Sequence, residues 1–337
     1  MDYVLNYNKI LRPLLDNRTP LAFLQSKTAL CEFFAKTKIN RPNPSFAFIT
    51  SELTARYALQ HPGDITAYFR GKLKLFKLCR KFAGFIHGVH GDKKLNRDMV
   101  VGTIGGAMAF HTDSTVKSIL RDHSFSREIN MFGFGLGDAY YEKEIQDYLI
   151  KRKIAKKVAL YGYDPFAKGI KNVKLLSADN LLKPPSASFD LILARWSLHH
   201  VPAKKRWKLF EAALSHLKPK SIAIIIEHGF VDTRARHVDV ALYRLLNGIL
   251  DTVGNIGIWP NWFASTKPDY GRNFFVDFLC DKDIRAIQEN CKVRLSRKII
   301  NIGPVFPWQS IIILKPKPVL QESLGKGQSA KWKRMVY

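Results

Sequence analysis

The spacing of apolar positions along this chain changes near residue 129. Upstream of it, hydrophobic residues recur at helical intervals. Thr28 to Thr37 (TALCEFFAKT) predicts a helix that the RPNPS stretch at Arg41 to Ser45 ends, because proline cannot continue the hydrogen-bond ladder. Ser51 to Gln60 predicts a short helix stopped by His61-Pro62-Gly63, and Asp64 is placed to cap a longer one running through Thr66 to about Phe85. In that helix Leu75, Leu78, Phe82, Phe85 and Ile86 share one face, with Arg70, Lys74, Lys77 and Lys81 beside it. The basic stripe reads first as the solvated flank of a packing helix, and second as an arm for nucleic acid or an acidic membrane.

Downstream, short apolar runs alternate with helical stretches. Strands are expected at Ile129 to Phe132, Val158 to Tyr163, Val173 to Leu176, Phe189 to Ala194 and Ser221 to Ile226. Helices are expected at about Tyr140 to Lys151, Pro202 to Leu217 and residues 232–252. Strands apolar through their length and separated by helices indicate a parallel sheet covered on both faces. Val293 to Ile300 and Gln309 to Leu314 form a closing antiparallel hairpin in this reading. The chain therefore divides into a mostly helical N-terminal module (1–120), an α/β domain (121–315) and a basic, loose tail (316–337).

Charge sharpens the picture without naming a ligand. Lys and Arg number 54 against 28 Asp and Glu, a formal net charge of +26 spread along the whole chain. An evenly cationic body favours anionic partners: RNA, or an acidic small molecule or lipid. No apolar run reaches the ~18 residues of a membrane-spanning helix, and no secretory signal pattern opens the chain. Cys31, Cys79, Cys280 and Cys291 form no C-x-x-C pair, which excludes a cysteine-rich zinc site. Together these predict a cytoplasmic or other intracellular, reducing location. His87-Gly-Val-His90 has metal-ligand spacing but no acidic or cysteine partner at fixed distance, so a polar turn is the expectation and no metal site is assigned.

The chemistry concentrates at the strand ends. Ile129-Asn-Met-Phe-Gly133-Phe-Gly135-Leu-Gly137-Asp138 places three alternating glycines between a strand and a helix, where backbone passes close beneath a ligand. It is neither a dinucleotide fingerprint, since Asp138 stands where the third glycine belongs, nor a P-loop, since G-K-[ST] is absent. The second strand ends in Tyr161-Gly-Tyr-Asp164, a carboxylate suited to ribose hydroxyls. Ser177-Ala-Asp179-Asn180 follows the third strand, Arg195-Trp196-Ser197-Leu198-His199-His200 the fourth, and Glu227-His228 the fifth, which Leu217-Lys218-Pro219 leads into.

Over residues 125–230 these motifs, in this order, resemble the class I S-adenosylmethionine-dependent methyltransferases, and the hairpin near 293–314 resembles that family's reversed last pair of strands. The resemblance implies a Rossmann-like methyltransferase sheet with S-adenosylmethionine as cofactor. Gly133, Gly135 and Gly137 would lie under its methionine part, Asp164 on the ribose, and Asp179 with Asn180 beside the adenine. One departure stands out: the family's acidic residue two positions before the first glycine is Met131 here, with Asn130 and Asp138 the nearest substitutes. The segment after strand four lacks the [DN]-P-P-[YF] of exocyclic-amine enzymes and any cysteine nucleophile; its Leu-His-His ending is more like enzymes of small metabolites, lipids or quinones. His199 and His200, and beyond them His228, are the candidate bases. Arg195 is a candidate for holding an acidic acceptor, and Trp196 for stacking on one. Trp259, Trp262, Phe263 and Tyr270 are a candidate acceptor-pocket lid. The expected function is methyl transfer to a small molecule, lipid or RNA. The alternative is an RNA-binding or capping-associated protein with a degenerate domain.

Overall fold

The computed structural model describes Leu15 and residues 18–36, 44–89, 114–182 (apart from 166 and 168), 188–228, 237–258, 276–300 (apart from 292) and 309–317. Its centre is a seven-stranded sheet. In chain order the strands are β1 (Glu128–Phe134), β2 (Lys157–Tyr163), β3 (Lys174–Leu175), β4 (Phe189–Arg195), β5 (Leu217–His228), β6 (Val293–Ile300) and β7 (Gln309–Pro316), and their spatial order is β3-β2-β1-β4-β5-β7-β6. The first five run parallel, while β7 pairs antiparallel with both β5 and β6. The α/β fold with a closing antiparallel hairpin is thus the one the sequence predicts.

Strand periodicity sorts the core into two layers. Phe132, Phe134, Ile192, Ala194, Ala223 and Ile225 face one way, onto Phe210, Leu214, Ile284 and Ile287. Ile129, Met131, Leu191, Leu193, Ile222 and Ile224 face the other, onto Tyr141, Ile145, Leu149, Val116 and Leu120. Both faces of the sheet are therefore buried under helices, which accounts for strands that read as unbroken apolar runs.

The helical layer is built from α1 (Pro20–Gln25), α2 (Lys27–Lys36), α3 (Pro44–Gln60), α4 (Pro62–Phe69) and α5 (Leu75–Val89). Two expectations change here. Helix α3 starts at Pro44 rather than Ser51, since proline is compatible with a first helical turn that needs no N–H. The single helix foreseen over 66–85 is two, because Gly71 adopts φ +71° and closes the end of α4 with its N–H on the Tyr68 carbonyl (2.9 Å). Asp64 lies in the first turn of α4, not at its cap; it accepts from the Tyr57 hydroxyl (2.9 Å) and pairs with Lys81 (2.6 Å). The layer also takes in a later helix, His237–Ile258, whose Leu242, Tyr243, Leu245, Leu246, Ile249 and Val253 share one core with Phe23, Phe33, Phe34, Leu53 and Phe82. The N-terminal module is consequently completed by chain from beyond the fifth strand. Among the described residues no helix is long and apolar enough to cross a membrane. The tail from residue 318 onward lies outside the described residues.

Candidate active site

Strand order reverses between β1 and β4, so their outgoing loops diverge at the carboxyl edge of the sheet, where open α/β sheets bind ligands. The glycine loop forms one lip. Gly135 and Gly137 sit at φ +68° and +57°, a region that L side chains avoid. The Gly135 N–H donates to the Tyr163 carbonyl (2.7 Å), and Gly137 N–H donates to Asp164 Oδ2 (3.0 Å). Asp164 Oδ1 accepts from Ala167 N–H (3.0 Å). Asp164 therefore ties the end of β2 to the glycine loop. Gly162 permits this closure, because a Cβ there would lie 1.8 Å from Leu136 Cδ2. Asp179 and Asn180 are exposed on the short helix Ala178–Leu182, after β3 and beyond β2.

The opposite lip follows β4. Ser197 donates its hydroxyl to the Phe134 carbonyl (2.8 Å), and a Cβ at Gly135 would lie 2.3 Å from Ser197 Cβ. The two lips thus touch through the bare Cα of Gly135.

Behind the loop, Met131 is fully buried among apolar side chains, so an acid at that position would sit inside the core. Neither foreseen substitute replaces it. Asn130 is engaged lower on the strand, its N–H on Asp190 (2.8 Å) and its Nδ2 on the Ser188 carbonyl (3.1 Å), while Asp138 Oδ1 caps Tyr140 N–H (3.0 Å). The acid at the loop comes from helix Tyr140–Lys151 instead. Glu142 is 3% exposed, and a Cβ at Gly133 would lie 2.9 Å from its Cγ and 3.0 Å from Oε1. Burial lifts its carboxyl from an ordinary 4.5 to about 7, only partly opposed by its own backbone N–H and the charge of Arg195. Arg195 itself lies against the rings of Tyr141 (4.1 Å) and Trp196 (4.2 Å).

A testable consequence follows for Glu142. Between pH 4.5 and about 7 the folded chain keeps a proton that the unfolded chain has released, so this group's contribution to stability falls as pH rises through that window. Glu142→Gln removes the titration. Urea unfolding of the two chains should show glutamine gaining on glutamate by on the order of 2–3 kcal/mol between pH 5 and pH 8. An equal difference at both pH values would contradict the assignment.

On the other side of Ser197, the turn Leu198–His200 carries both histidines. His199 is fully buried, with Nδ1 on Glu227 Oε2 and Nε2 facing Asp251 Oδ1 at 3.4 Å. Glu227 is also fully buried, and its other oxygen accepts from Ser197 N–H (3.1 Å) and Leu198 N–H (2.8 Å). Burial pushes His199 down, but the charges and hydrogen bonds of Glu227 and Asp251 outweigh it and bring it up to about 9. With both nitrogens engaged, the imidazole is held between two carboxylates. His200, its ring tilted 46° to that of His199 with centroids 4.0 Å apart, keeps 30% of its side chain exposed and lies 3.9 Å from Asp251 Oδ1.

Sequence reasoning named His199, His200 and Glu227 but missed Asp251, which arrives from helix His237–Ile258. Gly248, one turn before it, lets that helix pass close to α5: a Cβ there would lie 2.8 Å from Cys79 Sγ. The turn is held from outside by Arg206, which is 1% exposed and donates to the carbonyls of Val201 (3.0 Å) and Asp277 (2.8 Å), and by Asp277 N–H on the His199 carbonyl (2.9 Å). His228 ends β5. The foreseen lid at Trp259, Trp262, Phe263 and Tyr270, and His90 of the His87–His90 pair, lie outside the described residues.

No protein-family model matches the chain, and no curated protein matches it in sequence. Solved structures do match. The mitomycin 7-O-methyltransferase MmcR is 12% identical over 91% of this chain and 75% of its own, with a TM-score of 0.43. The S-adenosylmethionine-dependent methyltransferase SibL, in its apo form, is 15% identical over 81% and 74%, at 0.46. Magnesium protoporphyrin IX methyltransferase from Synechocystis PCC 6803, with bound S-adenosylmethionine, is 11% identical over 60% and 77%, at 0.35.

Proposed function

We propose that this protein transfers the methyl group of S-adenosylmethionine to an acceptor that enters between the Leu198–His200 turn and the glycine loop. One observation carries the reading: at the point where the strand order reverses, a left-handed glycine loop is tied by Gly137 N–H to Asp164, the carboxylate that ends the neighbouring strand. The left-handed glycine loop and the Asp164 carboxylate beside it fit the methionine and ribose parts of such a cofactor. Asp179 and Asn180 fit its adenine edge, and Glu142 supplies the acid that Met131 does not, facing the cofactor's amino group.

The bound cofactor supplies an electrophilic sulfonium methyl, so the chain's task is alignment and exclusion of water. His200 and Asp251 border the acceptor side. Arg195, lying against two rings, orders the end of β4 rather than reaching the acceptor. An anionic small molecule or lipid suits both this edge and the net charge of +26. RNA as the acceptor, or as the ligand of a non-catalytic chain, draws on charge alone.

Asp164→Ala should weaken S-adenosylmethionine binding by about 1.5–3 kcal/mol, the worth of charged hydrogen bonds, in calorimetric titration. Unchanged affinity would remove Asp164 from the cofactor site. Transfer of labelled methyl to metabolite, lipid or RNA pools then separates the acceptors. Labelling of RNA alone, or RNA binding that falls steeply with salt and with joint neutralisation of Lys74, Lys77 and Lys81, would shift the reading to nucleic acid.

A further inference from the structure

We infer that His199, His200 and Asp251 form a binding site for one divalent transition-metal ion of the zinc class, at the carboxyl edge of the sheet on the acceptor side. The inference stands independently of the cofactor. The three side chains converge from two elements: the turn after β4 gives both imidazoles and helix His237–Ile258 gives the carboxylate. One ligand atom from each lies within 4.8 Å of the other two.

The same separations admit a shared cation in place of the proton that His199 Nε2 holds toward Asp251, which metal binding would release to solvent. A charge-assisted N–H···O bond closes to about 2.7–2.9 Å, whereas His199 Nε2 and Asp251 Oδ1 stand 3.4 Å apart. Two ligands on a tetrahedral ion with bonds of about 2.0–2.1 Å lie about 3.3 Å from each other. His200 Nε2 stands 3.9 Å from the same oxygen.

The surroundings are built as metal-ligating histidines need them. A ligating imidazole gives its other nitrogen to a carboxylate, which fixes tautomer and ring plane. Glu227 does this for His199 Nδ1, and two backbone N–H groups hold Glu227 in turn. Charge points the same way. Glu227 is wholly buried and the Asp251 side chain is 6% exposed, so once His199 gives up its Nε2 proton two carboxylates remain in a water-poor site that a divalent ion neutralises. The three protein ligands match the number found in catalytic rather than structural zinc sites. Two imidazoles and one carboxylate suit zinc over magnesium or calcium, which prefer all-oxygen shells. An ion there would present a Lewis acid to an oxygen on the acceptor.

Zinc titration of the chelator-stripped full-length chain, followed by calorimetry and by the shift in Tm, tests this. One equivalent should bind and raise Tm. His200→Ala and Asp251→Asn should each weaken binding at least ~100-fold and abolish the shift, and Glu227→Gln should weaken it ~10–100-fold without touching the ion. His200 is partly exposed, so His200→Ala tests the site in a folded chain even if the buried substitutions unfold it. A wild-type chain that binds no zinc, or binds it as tightly after His200→Ala, overturns the inference. Because no cofactor is present in this titration, its outcome and that of S-adenosylmethionine binding are read separately.

Discussion

Glu227→Ala should destabilise the chain by about 3–5 kcal/mol, the cost of breaking a buried charged pair by removing one partner. The size follows from what the carboxylate holds. One oxygen engages the fully buried His199, and the other accepts the N–H groups of Ser197 and Leu198, so the turn after β4 loses three partners at once. Glu227→Gln keeps the volume and one acceptor and should cost less. Urea unfolding of the three chains at one pH gives the ranking. A loss below about 1 kcal/mol for alanine would mean that water replaces the carboxylate, and that the turn is not organised from β5.

The second large effect belongs to Gly135→Ala. Its φ of +68° costs an L residue about 1–2 kcal/mol, and the added Cβ would lie 2.3 Å from Ser197 Cβ, an atom fixed close to the backbone. Relief requires the glycine loop and the β4 turn to move apart, which breaks the Ser197–Phe134 bond. Cofactor affinity should fall by an order of magnitude or more, with a further loss of stability of about 1–3 kcal/mol from overpacking. Gly137→Ala shares the positive φ but meets no atom within 4 Å. It should show the backbone strain alone, a smaller effect in the same titration. Equal losses for the two substitutions would contradict the contact between the lips.

The difference between these two glycines was not legible in the sequence, where both are members of one G-x-G-x-G run. The run itself was legible, as were all seven strands, because each is either apolar throughout or bounded by turn residues. Asp164 was legible because it ends a strand beside the glycine loop. Asp251 was not: it sits inside a helix whose apolar pattern reads as core, and only the packing of that helix on α5, close at Gly248, brings it to His199. Glu142 was hidden for a similar reason. Its place one turn into a charged helix looks solvated, yet the missing side chain of Gly133 leaves room for it to fold under the loop. Helices precede the first strand at Glu128, as the change of period near residue 129 predicts. The tertiary structure nevertheless returns a later helix to the first module, and no local pattern carries that information.

The central claim is that the carboxyl edge of the sheet between β1 and β4 holds S-adenosylmethionine. A crystal structure of the full chain grown with S-adenosylhomocysteine tests it most directly. The account predicts the amino-acid part over Gly133–Gly137 with its amino group toward Glu142, and both ribose hydroxyls on Asp164. The ligand bound elsewhere, or no ligand at saturating concentration in well-ordered crystals, would contradict it.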